Sequence, residues 1–207
     1  MTSPRPAHRL LKHVVTDHMS VNRAFPASAL ARIEQTIAQG ERAHLGQVCF
    51  AVEGALPPLR VLRRITPRER ALEVFGLLRV WDTEENAGVL VYLLLADRDV
   101  EIVADRGIHR RVGAAAWEGI CKRMEAAFGE SRYADGVAQG LAEISALLAL
   151  HFPRTGEGAN ELPDKPVVLG SRRASRRAQP LAARVRACRC RSGAGSRIRA
   201  GSRGGAI

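Results

Sequence analysis

A chain of 207 residues, 46% hydrophobic and only 4% aromatic, is long enough to bury one core and suits an aliphatic α/β or all-α protein. The formal charge of +11 does not make the body basic: residues 171–207 hold 11 Arg and no acidic residue, which leaves 21 basic against 21 acidic residues elsewhere. No apolar run reaches the roughly 18–20 residues that span a bilayer, and the N-terminus lacks the apolar core of a signal peptide, so a cytoplasmic protein without a transmembrane segment is expected.

The first 24 residues read as an N-terminal extension. Arg9 and Lys12 flank only Leu10 and Leu11, too short an apolar stretch for a membrane-surface helix. From Ser28 to Gln39, Leu30, Ile33 and Ile37 fall at helical spacing, and Gly40 follows as the C′ residue. Residues 46–56 alternate Val48, Phe50 and Val52 and predict a strand that Pro57 and Pro58 end. Thr66-Pro67-Arg68-Glu69 is a capping box with Pro at the first helical position, opening a helix over 67–79. Val89–Leu95 is apolar throughout, as in a central strand covered on both faces, and a tight Ala96-Asp97-Arg98 turn leads back along 99–104. Two helices follow, one with Trp117, Ile120, Met124 and Phe128 on one face, the other with Val137, Leu141, Ile144 and Leu148. Residues 25–153 therefore form one domain, 154–170 reads as a linker, and 171–207 as a disordered Arg-rich tail.

If 46–53, the helix 67–79 and 89–95 make one βαβ unit, the two strands are parallel and the strand 99–104 returns antiparallel. That places Asp105 beside the loop of Asp82, Glu84, Glu85 and Asn86, while Asp97, Asp99 and Glu53 sit at the opposite rim. The first rim offers the carboxylate and amide oxygens that hard cations such as Ca²⁺ or Mg²⁺ take, with Gly88 and Gly107 permitting close backbone approach. Asp82, Glu84, Asn86 and Asp105 are thus candidate metal ligands; the other reading is that they are solvated turns. The six histidines lack metal-ligand spacing, and no P-loop or dinucleotide fingerprint is present. The four cysteines form no C-x-x-C pair and indicate neither a disulfide framework nor a zinc site.

The stretch from Phe25-Pro26 to Phe152-Pro153 resembles the TPM-domain family. The likeness is carried by the FP before the first helix, by TPRERALEVFGLLRVWDTEENAGVLVYLLLADRDVEIVADRGI, and by the helix with Trp117. The resemblance implies a three-layer α/β sandwich with a Rossmann-like mixed β-sheet. It also implies calcium binding or weak acid phosphatase activity near the rim of Asp82, Glu84, Asn86 and Asp105. Two positions depart from the family pattern: Ala87 stands where a second Asn is common, and Gln47 where an acidic residue is common.

Three functions follow as expectations. One is a divalent-cation-binding or adaptor module serving membrane-protein maintenance. Another is a cation-assisted phosphomonoesterase with Asp82, Asp105 and Arg106 as its candidate catalytic groups. The third is sequence-independent attachment of the tail to nucleic acid or other anionic surfaces, with no aromatic residues there for base stacking.

Overall fold

The sequence pattern resolves, in a computed structural model, into a four-stranded mixed sheet with helices on both faces. The structure describes residues 6–16, 18–83, 86–154 and 160–170. The expected disordered tail and Glu84 lie outside them.

In chain order the elements are α1 (Pro6–Val15), α2 (His18–Ala24), α3 (Ala27–Gly40), β1 (Gln47–Glu53), α4 (Pro58–Leu62) and α5 (Pro67–Leu77). These lead to β2 (Gly88–Leu94), β3 (Asp99–Ala104), α6 (Arg106–Val112), α7 (Ala114–Gly129), α8 (Tyr133–His151) and β4 (Val167–Leu169). The sheet order is β3-β2-β1-β4. β1 runs parallel to β2, from Gln47 opposite Gly88 to Glu53 opposite Leu94, and β3 pairs antiparallel to β2. The βαβ unit and the hairpin expected from the sequence are both present.

Every residue of β1 and β2 is buried, because helices cover both faces. On one side Val48, Phe50, Val91 and Leu93 pack with Ile33, Ile120, Phe128 and Leu141 from α3, α7 and α8. On the other, Ala51, Leu90, Tyr92 and Leu94 meet Val61, Ala71 and Val74 from α4 and α5. That gives three layers. Thr66 and Glu69 complete the capping box at the start of α5, with the Glu69 amide donating to Thr66 Oγ1 at 3.1 Å and the Thr66 amide to Glu69 Oε2 at 2.8 Å.

Two segments depart from the expected division. The stretch read as a linker contains β4, which pairs parallel to β1 through Ala51–Val167, Val52–Val168 and Glu53–Leu169. Three half-buried residues are too short to show periodicity, and only pairing with a distant strand defines them. Within the expected extension 1–24 the described residues form α1 and α2, and α1 is fastened to the domain. Arg9 donates to Asp97 Oδ2 at 2.9 Å, and buried His13 contacts Asp97 through Nε2 at 3.2 Å while its Nδ1 accepts the Leu56 amide at 2.9 Å. Leu10 and Val21 also pack against the core, but two such residues in short helices give too little hydrophobic spacing to mark the attachment.

Candidate functional site

At the amino end of β1 and β2, the loop leading into β2 meets the residue that follows β3. The Asp105 amide donates to the Gly88 carbonyl at 2.9 Å, extending the β2–β3 pairing by one bond. On the other side of Gly88 the chain has no space: a Cβ there would lie 1.8 Å from the Val80 carbonyl oxygen. Glycine is required at this crossing. Thr83 closes the loop, its hydroxyl accepting the Ala87 amide at 2.9 Å and its carbonyl accepting the Asn86 amide at 3.1 Å. Asn86 is exposed and holds a left-handed φ of +49°, a state its short amide side chain tolerates.

Asp82 and Asp105 each already have a partner. Asp105 is the N-cap of α6, with Oδ1 accepting the Arg106 amide at 2.5 Å. Exposed Asp82 receives Arg79 through Oδ2 at 2.5 Å. Each keeps its second carboxylate oxygen outside these bonds. Arg106 is exposed, and Glu84 lies outside the described residues. Among the described residues no three His, Cys, Asp or Glu side chains stand as a ready metal cluster. The donor chemistry still suits a hard cation, since loop oxygens and carboxylates are what Ca²⁺ and Mg²⁺ take.

Buried Gln47, at the same end, holds the returning C-terminal segment. Its Oε1 accepts the Glu161 amide at 2.8 Å and the Leu162 amide at 3.2 Å. A neutral amide supplies this acceptor without burying a charge.

The opposite rim carries a network that spacing alone did not reveal. Glu53, at the end of β1, accepts the Tyr92 hydroxyl at 2.8 Å and Arg70 Nε at 2.8 Å, and Arg70 also reaches Glu73 at 2.8 Å. Burial, with the Glu53 carboxylate beside it, pushes the Tyr92 phenol far above its ordinary value, so it remains a donor. The one available signal was a tyrosine within an otherwise aliphatic strand. Asp99 lies beyond the turn with Oδ1 buried and unpartnered. Burial first, then the nearby carboxylates of Glu101, Glu125 and Asp97, raise its pKa to about 7. The carboxylates that repel one another most clearly therefore surround β3, away from the rim the sequence singled out.

These features define a three-layer α/β sandwich with a Rossmann-like mixed sheet and polar groups at both ends of its parallel strands. The family model for the TPM domain matches residues 21–147, and the chain belongs to that family. Its fold is similar to the NMR structure of BA42 protein from the psychrophilic bacterium Bizionia argentinensis, with a TM-score of 0.62 and 24% identity, over 70% of this chain and 94% of that one. Among curated proteins none matches. Among the described residues no helix is long and apolar enough to cross a membrane.

Proposed function

We propose that this TPM-domain protein is a divalent-cation-binding module, with Ca²⁺ or Mg²⁺ held at the rim of Asp82, Glu84, Asn86 and Asp105. The observation supporting this reading is the crossing at Gly88. There the Val80 carbonyl and the Asp105 amide meet one glycine, which brings the loop after α5 and the start of α6 to one end of the sheet. A cation would draw on the carboxylate oxygens that Arg79 and the Arg106 amide leave open. Cation-dependent docking to a partner, such as a membrane protein under maintenance, suits this arrangement better than ester hydrolysis. Asp105 serves as a helix cap and Asp82 as an ion-pair partner, and neither hydrogen-bonds to a described side chain that would act as a general base.

Thermal unfolding of the full chain with and without millimolar Ca²⁺ tests this. A ligand that binds only the folded state adds about 2.7 kcal/mol at a hundredfold excess over its Kd, so the melting temperature should rise. Asp82→Asn and Asp105→Asn should abolish most of the rise, and asparagine keeps the cap at position 105. Asp97→Asn and Asp99→Asn, at the far rim, should leave the increment intact even where they change the baseline. A chain indifferent to both Ca²⁺ and Mg²⁺, or four variants that respond alike, would overturn the reading.

A further inference from the structure

The turn beyond the carboxyl end of β2 borders an open cleft of about 790 Å³, a volume comparable with small-molecule sites. Ligands of open α/β sheets commonly bind at this end of the strands. Leu95 and Ala96 directly follow β2, and their amides are tied to the carbonyls of Glu53 and Gly54 at 2.9 and 3.0 Å. These two residues and Arg98 line the cleft. One wall is a single face of α1, where His8, Leu11, Lys12 and Val15 recur at helical spacing. A neighbouring face of the same helix is fixed by Arg9 and His13 to Asp97, so the wall is held in place. Thr16, Ser20, Arg23, Ser131 and Tyr133 also line the cleft.

Of the described residues lining this cleft none is acidic, while Lys12, Arg23 and Arg98 are cationic and exposed. No ion pair joins any of the three to a described carboxylate, and Asp97 is already engaged by Arg9 and His13. Arg98 and Ser131 hold left-handed φ values of +54° and +61°. Both residues sit in turns, Arg98 in the β2–β3 hairpin and Ser131 just past α7, and these turns present them at the cleft. Apolar surface lies beside the cations: Leu11 is 61% exposed and Val15 69% exposed. Three positive charges match a phosphomonoester, which carries close to two negative charges and three acceptor oxygens.

We propose that this cleft binds a phosphate group carried on an apolar body, its oxygens taken by Lys12, Arg23 and Arg98 and its body laid against Leu11 and Val15. The site lies at the other end of the sheet from Asp105 and does not depend on the cation reading. A soluble phosphomonoester and a phospholipid headgroup share this chemistry.

Titration of the ¹⁵N-labelled full chain with phenyl phosphate separates the cleft from the Arg-rich segment. Shifts should appear in residues 8–24, 95–98 and 131–133, and phenol at equal concentration should leave them unmoved. Lys12→Gln, Arg23→Gln and Arg98→Asn, the last retaining a residue that tolerates left-handed φ, should each weaken binding about tenfold, the loss of one charge-assisted hydrogen bond. Vesicles containing phosphatidic acid, compared with phosphatidylcholine alone, give the lipid arm. Broadening of the cleft resonances by the acidic vesicles alone assigns a lipid source, and shifts with the soluble ester assign a free one. Shifts confined to residues 171–207, or variants that bind phenyl phosphate as the parent does, overturn the proposal. Inorganic phosphate binding as tightly as the phenyl ester removes the apolar body from it.

Discussion

The Glu41 carboxylate lies under the outer edge of β1, where Oε1 accepts the Val48 amide at 2.7 Å. Burial dominates its titration, and with the neighbouring Asp164 carboxylate it raises the pKa from 4.5 to about 7 despite that hydrogen bond. The folded state therefore holds this proton more tightly than the unfolded chain does. Stability from this group is greatest below the unfolded pKa and falls as pH rises between about 4.5 and 7, by roughly 3 kcal/mol in all. Glu41→Gln keeps the acceptor and removes the charge. Urea titrations at pH 5 and pH 8 should show the variant gaining on the parent between the two values; an unchanged difference would mean that Glu41 is not buried as described. No sequence pattern marks this role, because Glu41 falls just past a helix end where a solvated carboxylate is the ordinary expectation. The same holds for Glu53 and Tyr92, whose partnership depends on a pairing of β1 with β2 that only the folded sheet creates. Asp105, by contrast, was legible as a rim residue from the hairpin alone, although its use as the cap of α6 was not.

At the level of elements, legibility follows periodicity and cap chemistry. α5 starts where Thr66-Pro67-Arg68-Glu69 says it should, since the cap satisfies amides that the first turn leaves open. Thr66→Ala should cost about 1 kcal/mol, read as a lower urea midpoint at unchanged slope, and Thr66→Ser should restore most of it. β2 and β3 were readable because a fully apolar run followed by an alternating one matches a central strand and an edge strand. The sequence pattern predicts none of α1, α2 and α4. α1 and α2 are short, and α1 is fixed largely through the Arg9–Asp97 and His13–Asp97 contacts rather than by a deep apolar stripe. α4 begins at Pro58, where proline is a helix start as readily as a strand end.

For the whole molecule, the three layers and the mixed sheet could be reasoned from element order, because a parallel pair needs a crossover and a hairpin must return. The closure of the sheet by residues from the far end of the chain could not. β4 and the Glu161 and Leu162 amides reach β1 across nearly the entire domain sequence, and local pattern carries no trace of such a partner. A chain ending at Gly170 keeps every described element and should match the full protein in circular dichroism. One ending at Arg154 loses β4 and both amides that Gln47 holds. It should self-associate as concentration rises, seen by sedimentation velocity, because the apolar strand β1 becomes an open edge. A monomeric 1–154 chain would show that the edge is protected by other means.

The position of β4 also sets an order in time. Of the described elements, a ribosome delivers β1 early and β4, which seals its outer edge, last, so the nascent domain passes most of its synthesis with that edge open. Of the described groups that bond to this edge, Glu41 alone is made before β1, and its one hydrogen bond covers one amide. The growing chain is thus most exposed to wrong pairing in the interval between the emergence of β2 and that of residue 169. Anything that slows translation through α7 and α8 lengthens that interval without altering the finished fold.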